Sequence, residues 1–210
     1  GEEDPNTLNS MNNLAAIYEK AGDLEKAIPL YEKTLNGRRN VLGEDDSRTL
    51  ATMHDLADAY HKAGNREKAI PLFEEVLNRR REKLGEEDPN TLQSMSNLAA
   101  IYEKAGDLEK AIPLKQAILE LRREKLGEED PLTLTAMNNL AWSYHLANDP
   151  KKAIPLYEET VNRRRKVLGE DHPHTLLSMH NLAVVYEKAG NLKTAISLFE
   201  ETVNGRRKFL

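Results

Sequence analysis

Met11-Asn12-Asn13-Leu14-Ala15-Ala16-Ile17-Tyr18-Glu19-Lys20-Ala21-Gly22-Asp23 is the stretch that decides the fold. With Leu8 before it, the residues Leu8, Met11, Leu14, Ala15, Tyr18 and Ala21 follow the three-or-four spacing of a helix with one buried stripe. Upstream, Asp4-Pro5 is a start signal, with Asp as N-cap and Pro at the first helical position. Downstream, Gly22 can take the left-handed conformation that ends a helix. Asp23 then caps a second helix with Leu24, Ala27, Ile28, Tyr31, Leu35 and Leu42 on its buried side. Arg38 and Arg39 fall in its last turns, where the helix dipole favours cations.

The same pattern restarts at Gly43, Gly85, Gly127 and Gly169, so the 210 residues divide into five blocks: 1–42, 43–84, 85–126, 127–168 and 169–210. Fifteen columns are invariant among them, and the first thirty residues of blocks one and three differ only at Asn9/Gln93 and Asn12/Ser96. A period of this length indicates a stacked array of helical hairpins in place of one compact core. One feature breaks the local rules. Pro29, Pro71, Pro113 and Pro155 lie inside the second helix, where a kink is expected; block five has Ser197 instead.

Composition narrows the function. Without cysteine there is no disulfide, thiol catalysis or Cys-based zinc site. A net charge of −5 and a pI near 5.8 argue against a mainly electrostatic nucleic-acid binder. No apolar run reaches the roughly 18 residues of a membrane span. No Gly-rich phosphate loop, His-Glu-x-x-His or nucleophile elbow is present, so no enzyme activity and no cofactor are expected. His172-Pro173-His174 sits in a connector that other blocks fill without His, and no metal is expected there.

Met11-x2-Leu14-Ala15-x2-Tyr18 followed by Ala27-x3-Tyr31 resembles the tetratricopeptide repeat in all five blocks. The usual repeat is about 34 residues long. The longer period here, and the Leu-Gly-Glu connector, look like the kinesin light chain and nephrocystin-3 type and the sensor arrays of signalling NTPases. The resemblance implies an all-α, right-handed solenoid of five helix–turn–helix repeats forming one superhelical domain. It also implies a concave groove, lined by the first helices, that binds a peptide or extended protein segment.

A helical wheel selects much the same columns without the family. With Leu8 at 0°, the core stripe spans about 220–340° and Asn9, Asn12, Asn13, Ala16, Glu19 and Lys20 fall at about 20–140°. Read down the array, the groove columns give Asn12, His54 and Asn138; Asn13, Asp55, Asn97, Asn139 and Asn181; Asp58, Trp142 and Val184; and His61 with His145. Carboxamides can donate to and accept from a peptide backbone of any sequence, or else satisfy neighbouring helices. Trp142, the only Trp, is either a binding anchor or a space filler against an adjacent helix. The two His columns make groove affinity pH-dependent if they titrate there.

Block three departs at Lys115–Leu121, with Lys115 in the aromatic core column; its stem is expected to pack and its amine to reach solvent, and a contact patch on the outer face is the sharper alternative. The leading reading is a non-enzymatic scaffold for a protein or peptide ligand, intracellular and cytoplasmic, with no nucleic acid and no membrane. The alternatives are a sensor arm excised from a larger signalling protein and an engineered scaffold without natural ligand. The last helix would expose Leu198, Phe199, Val203 and Phe209, which opens the chain to end-to-end self-association.

Overall fold

The computed structural model describes residues 4–208. Ten α-helices and no strand occur among them: α1 (Pro5–Lys20), α2 (Leu24–Leu42), α3 (Ser47–Lys62), α4 (Arg66–Leu84), α5 (Pro89–Ala105), α6 (Leu108–Leu126), α7 (Pro131–Leu146), α8 (Pro150–Leu168), α9 (Pro173–Lys188) and α10 (Leu192–Arg207). Successive pairs are hairpins, so about five helix–turn–helix repeats fill the chain. The helices gather into two compact units, 1–101 and 102–210, with the division falling inside α5.

The ends of the helices follow local chemistry. Asp4, Asp46 and Asp130 accept backbone N–H bonds at the starts of α1, α3 and α7. His172 does the same for α9, with its Nδ1 3.2 Å from the His174 amide. It therefore works as a cap, and no group of three or more candidate metal ligands occurs among the described residues. Inside the hairpins the chain reverses through a left-handed residue, Gly22 at φ 81° in block one. Block four has Asn148 at φ 57° in that place, the non-glycine residue best suited to it. The second helices run through Pro29, Pro71, Pro113 and Pro155 without a break, each proline lying on the exposed side.

Within unit 1 the core is built from Leu8, Leu50, Met53, Leu56, Tyr31, Phe73 and Leu77, each at most 3% exposed. Unit 2 repeats the arrangement with Leu134, Met137, Leu140, Tyr157 and Val161. Alanines 15, 57, 99, 141 and 183 are fully buried, because the helices approach too closely for a larger side chain.

One arginine column joins each hairpin to the next. Arg38 Nη1 donates to the Arg48 carbonyl (2.8 Å) and to Thr52 Oγ1 (2.6 Å). Arg80 repeats this on Asn90 and Ser94, and Arg164 on His174 and Ser178. Arg38 and Arg164 are buried, and burial lowers the pKa of each. Read from sequence as cations for the helix dipole, these side chains instead clamp the first turns of the following helix. Their neighbours in the Arg39 column stay half-exposed and pair with acids, Arg39 with Glu75 at 3.5 Å and Arg123 with Glu159 at 3.7 Å.

Candidate functional site

Most variable columns of the first helices lie on the side turned away from the buried stripe, with the Asn12 column at the edge of the joint to the next hairpin. In unit 1, α3 presents His54, Asp55, Asp58 and His61, all half-buried. Asn12 Nδ2 donates to Asp55 Oδ2 (3.4 Å), while Asn12 Oδ1 accepts from Thr52 (2.9 Å). Burial raises the Asp55 pKa against the opposing hydrogen bond from Asn12. His54 Nε2 sits 3.0 Å from Asn97 Nδ2 and 3.8 Å from Asp58, and its ring stands edge-on to Phe73 at 5.2 Å. Burial lowers the His54 pKa, the Asp58 charge opposing and Arg80 adding to the effect. Asn13 and Ala16 are exposed, and Asn97 is half-buried, its Oδ1 accepting from Gln93.

In unit 2 the same columns carry different chemistry. Trp142 is half-buried and lies against the His145 ring, with centroids 5.1 Å apart and planes tilted by 35°. Burial lowers the His145 pKa and the Lys188 charge lowers it further. Asn139 is exposed, and Asn181 and Val184 are half-buried. Asn138 is 7% exposed, with its Oδ1 accepting from Ser178 Oγ at 2.9 Å. The Asn12 column thus spends its carboxamides between helices in both units, whereas Asn13 and Asn139 keep theirs in the open.

Lys115 behaves differently from the sequence expectation. Its side chain is 12% exposed, and its amine, expected to point to solvent, instead pairs with Glu103 and donates to Ser143 Oγ (2.7 Å). In block one the equivalent Tyr31 hydroxyl donates to Glu19, which occupies the Glu103 position (2.8 Å). Lysine therefore keeps the hydrogen bond that a tyrosine makes elsewhere. The paired identities Tyr31 with Glu19 and Lys115 with Glu103 were the sequence signal for this contact. On the second-helix side of unit 2, a cleft of about 390 Å³ opens beside Gln116, Leu119, Arg123, Tyr144 and Pro155.

The fold and these faces define an array of helical hairpins whose invariant residues stack and whose variable residues are displayed. A profile of the tetratricopeptide repeat matches residues 6–82, 64–124, 90–166 and 152–208. The chain belongs to the tetratricopeptide repeat family. It is similar over 98% of both chains to a candidate kinesin light chain of Podosopora anserina with nearly identical TPR-like repeats, at 29% identity and a TM-score of 0.87. BtubC from P. vanneervenii shares the fold at 23% identity and a TM-score of 0.80, over 97% of this chain and 81% of that one. YrrB, a TPR protein with an unusual peptide-binding site, aligns at 17% identity and a TM-score of 0.64 over 99% of this chain and 89% of its own. A search of curated proteins gave no match. No helix among the described residues is long and apolar enough to cross a membrane.

Proposed function

We propose that this protein is a non-catalytic scaffold that captures an extended peptide or protein segment on the displayed faces of its first helices, with Trp142 as the principal anchor. The observation that carries the proposal is Trp142 itself. A large aromatic side chain stands half-buried where the other blocks place Ala16, Asp58, Ala100 and Val184, beside the exposed Asn139. Half-buried aromatics offer much contact area at low entropic cost, and open carboxamides can bond a peptide backbone in either direction.

Asn139 and Asn181 serve the ligand backbone in unit 2, and Val184 widens the apolar surface. In unit 1, Asn13, Asp55, Asp58, His61 and Asn97 give a more polar face suited to polar or basic side chains. His54, Asn12 and Asn138 contribute by fixing their neighbours. The family supports a protein-binding role, and a peptide site on YrrB supports the choice of ligand class. The acidic balance of the chain supports protein over nucleic acid.

A peptide-display selection against the wild-type chain, followed by calorimetry on the selected peptides, tests this. Trp142→Ala should weaken binding by about 2 kcal/mol, roughly 30-fold, with an unchanged melting temperature. Equal affinity for the two proteins removes the anchor.

A further inference from the structure

The exposed apolar faces of α1 and α10 are chemical counterparts. In blocks two to five, the column of Leu14 is 3–4% exposed and that of Ile17 at most 4%. Leu14 and Ile17 themselves are 43% and 64% exposed. The opposite holds at the other end. Leu35, Leu77, Leu119 and Val161 are 2–4% exposed, whereas their equivalent Val203 is 46% exposed, with Ile196 at 57% beside it on α10. Leu198 and Phe199, expected to be open, are half-buried; Phe209 lies outside the described residues. The α1 stripe is one that later blocks cover with the preceding hairpin, and the α10 stripe one that earlier blocks cover with the following hairpin.

The joint between blocks two and three shows what would cover them. Residues 5–20 and 89–104 are the same sequence except at Asn9/Gln93 and Asn12/Ser96, so α1 offers nearly the surface that α5 lays on block two. Block five in turn keeps three residues of the block-two face that receives it. His54 against Phe73 (5.2 Å) recurs as His180 against Phe199 (5.4 Å), and Arg80 recurs as Arg206. In the existing joint, Arg80 bonds the Asn90 carbonyl and Ser94 Oγ, and His54 faces Asn97. The equivalents at the ends are Asn6, Ser10 and Asn13 on one side and Arg206 and His180 on the other. Asn6, Ser10, Asn13 and Arg206 are all exposed.

We propose that this chain associates head to tail with further copies of itself, α10 of one copy receiving α1 of the next in the register of the joint between blocks two and three. Charge agrees at two further positions. Lys62 bonds Glu19 inside the chain (2.6 Å), and Lys20 would meet Glu187. Tyr60 bonds Glu32 and Tyr186 bonds Glu158, and Tyr18 would meet Glu200. One column opposes: Arg39 and Arg165 pair with Glu75 and Glu201, while Arg207 would face Lys33. Because the two contacting surfaces differ, the contact is heterologous and leaves a free end after every addition.

Sedimentation velocity and light scattering on the 210-residue chain, from micromolar to near-millimolar concentration, test this with two charge substitutions at exposed sites. The wild type should grow from 23.8 kDa through dimers to longer species as concentration rises. Ile17→Glu blocks one end and Val203→Glu the other, and each variant alone should remain at 23.8 kDa with an unchanged circular dichroism spectrum. Their equimolar mixture keeps one good pair of ends and should stop at a one-to-one dimer. Lys33→Glu should move growth to lower concentration. A wild type that stays monomeric throughout overturns the proposal. So does a single variant that still dimerises, since that requires like ends to pair, or a mixture in which the two variants ignore each other.

Discussion

Blocks two and four build the same hairpin and display different chemistry from it. At four equivalent positions α3 carries His54, Asp55, Asp58 and His61, and α7 carries Asn138, Asn139, Trp142 and His145. Underneath, Leu56 and Leu140, Met53 and Met137, Ala57 and Ala141 are buried alike. The difference teaches where selection of residues is free. The buried apolar positions are held by packing, whereas the half-buried position of Asp58 and Trp142 tolerates a carboxylate in one block and an indole in another.

The largest effects should therefore be common to both blocks. Leu56→Ala and Leu140→Ala should each cost about 2–5 kcal/mol in urea unfolding, whereas Leu14→Ala, in the same column but 43% exposed, should cost under about 1 kcal/mol. Equal losses at all three sites would mean that the first hairpin is covered in solution. Next comes the arginine clamp. Arg164→Ala should cost about 1.5–3 kcal/mol, since its hydrogen bonds to His174, Ser178 and Thr135 are charge-assisted and it is 2% exposed. Arg122→Ala should cost less, because Ala136 stands where the other blocks offer a hydroxyl, while the guanidinium still donates to the Leu132 carbonyl.

The hairpins were legible in sequence because the periodicity agrees at every block, and each block carries the Asp-Pro start, the Gly turn or both. The arginine clamp was less so. A cation in a last helical turn has a sufficient local explanation, and nothing local reveals that Arg38 crosses to Thr52. Lys115 failed for a similar reason. A lysine in an aromatic column reads as a misfit until Glu103 and Ser143 are seen beside it. On the displayed face, the wheel placed Asn12 and Asn13 together, yet the first bonds the next helix and the second is exposed. Two columns 100° apart can straddle the edge of an interface, and sequence alone does not locate that edge.

The Asp55 position sharpens the comparison by smaller amounts. Every other block has asparagine in that column, and burial raises the Asp55 pKa. A raised carboxyl costs the folded state where the group is ionised, above its native pKa, and the cost fades as pH falls toward the unfolded value of 3.8. Asp55→Asn should accordingly stabilise unit 1 at neutral pH, by about 0.5–2 kcal/mol, and by almost nothing in strong acid. Thermal melts at two pH values check the sign.

The smallest expected effects concern the two histidines. Burial lowers both pKa values, so the unfolded chain takes up protons before the folded one as pH drops below about 6.5. Each histidine therefore contributes stability that is complete above that pH and declines below it. What differs is the company. Carboxylates at Asp58 and Asp55 pull His54 back up, while Lys188 pushes His145 further down. Exchanging these neighbours should exchange the behaviour. Lys188→Glu should raise the His145 titration midpoint in an NMR titration of the ring protons, and Asp58→Asn should lower that of His54. If neither midpoint moves, burial alone sets both values and the contrast in charge between the two faces has no consequence for protonation.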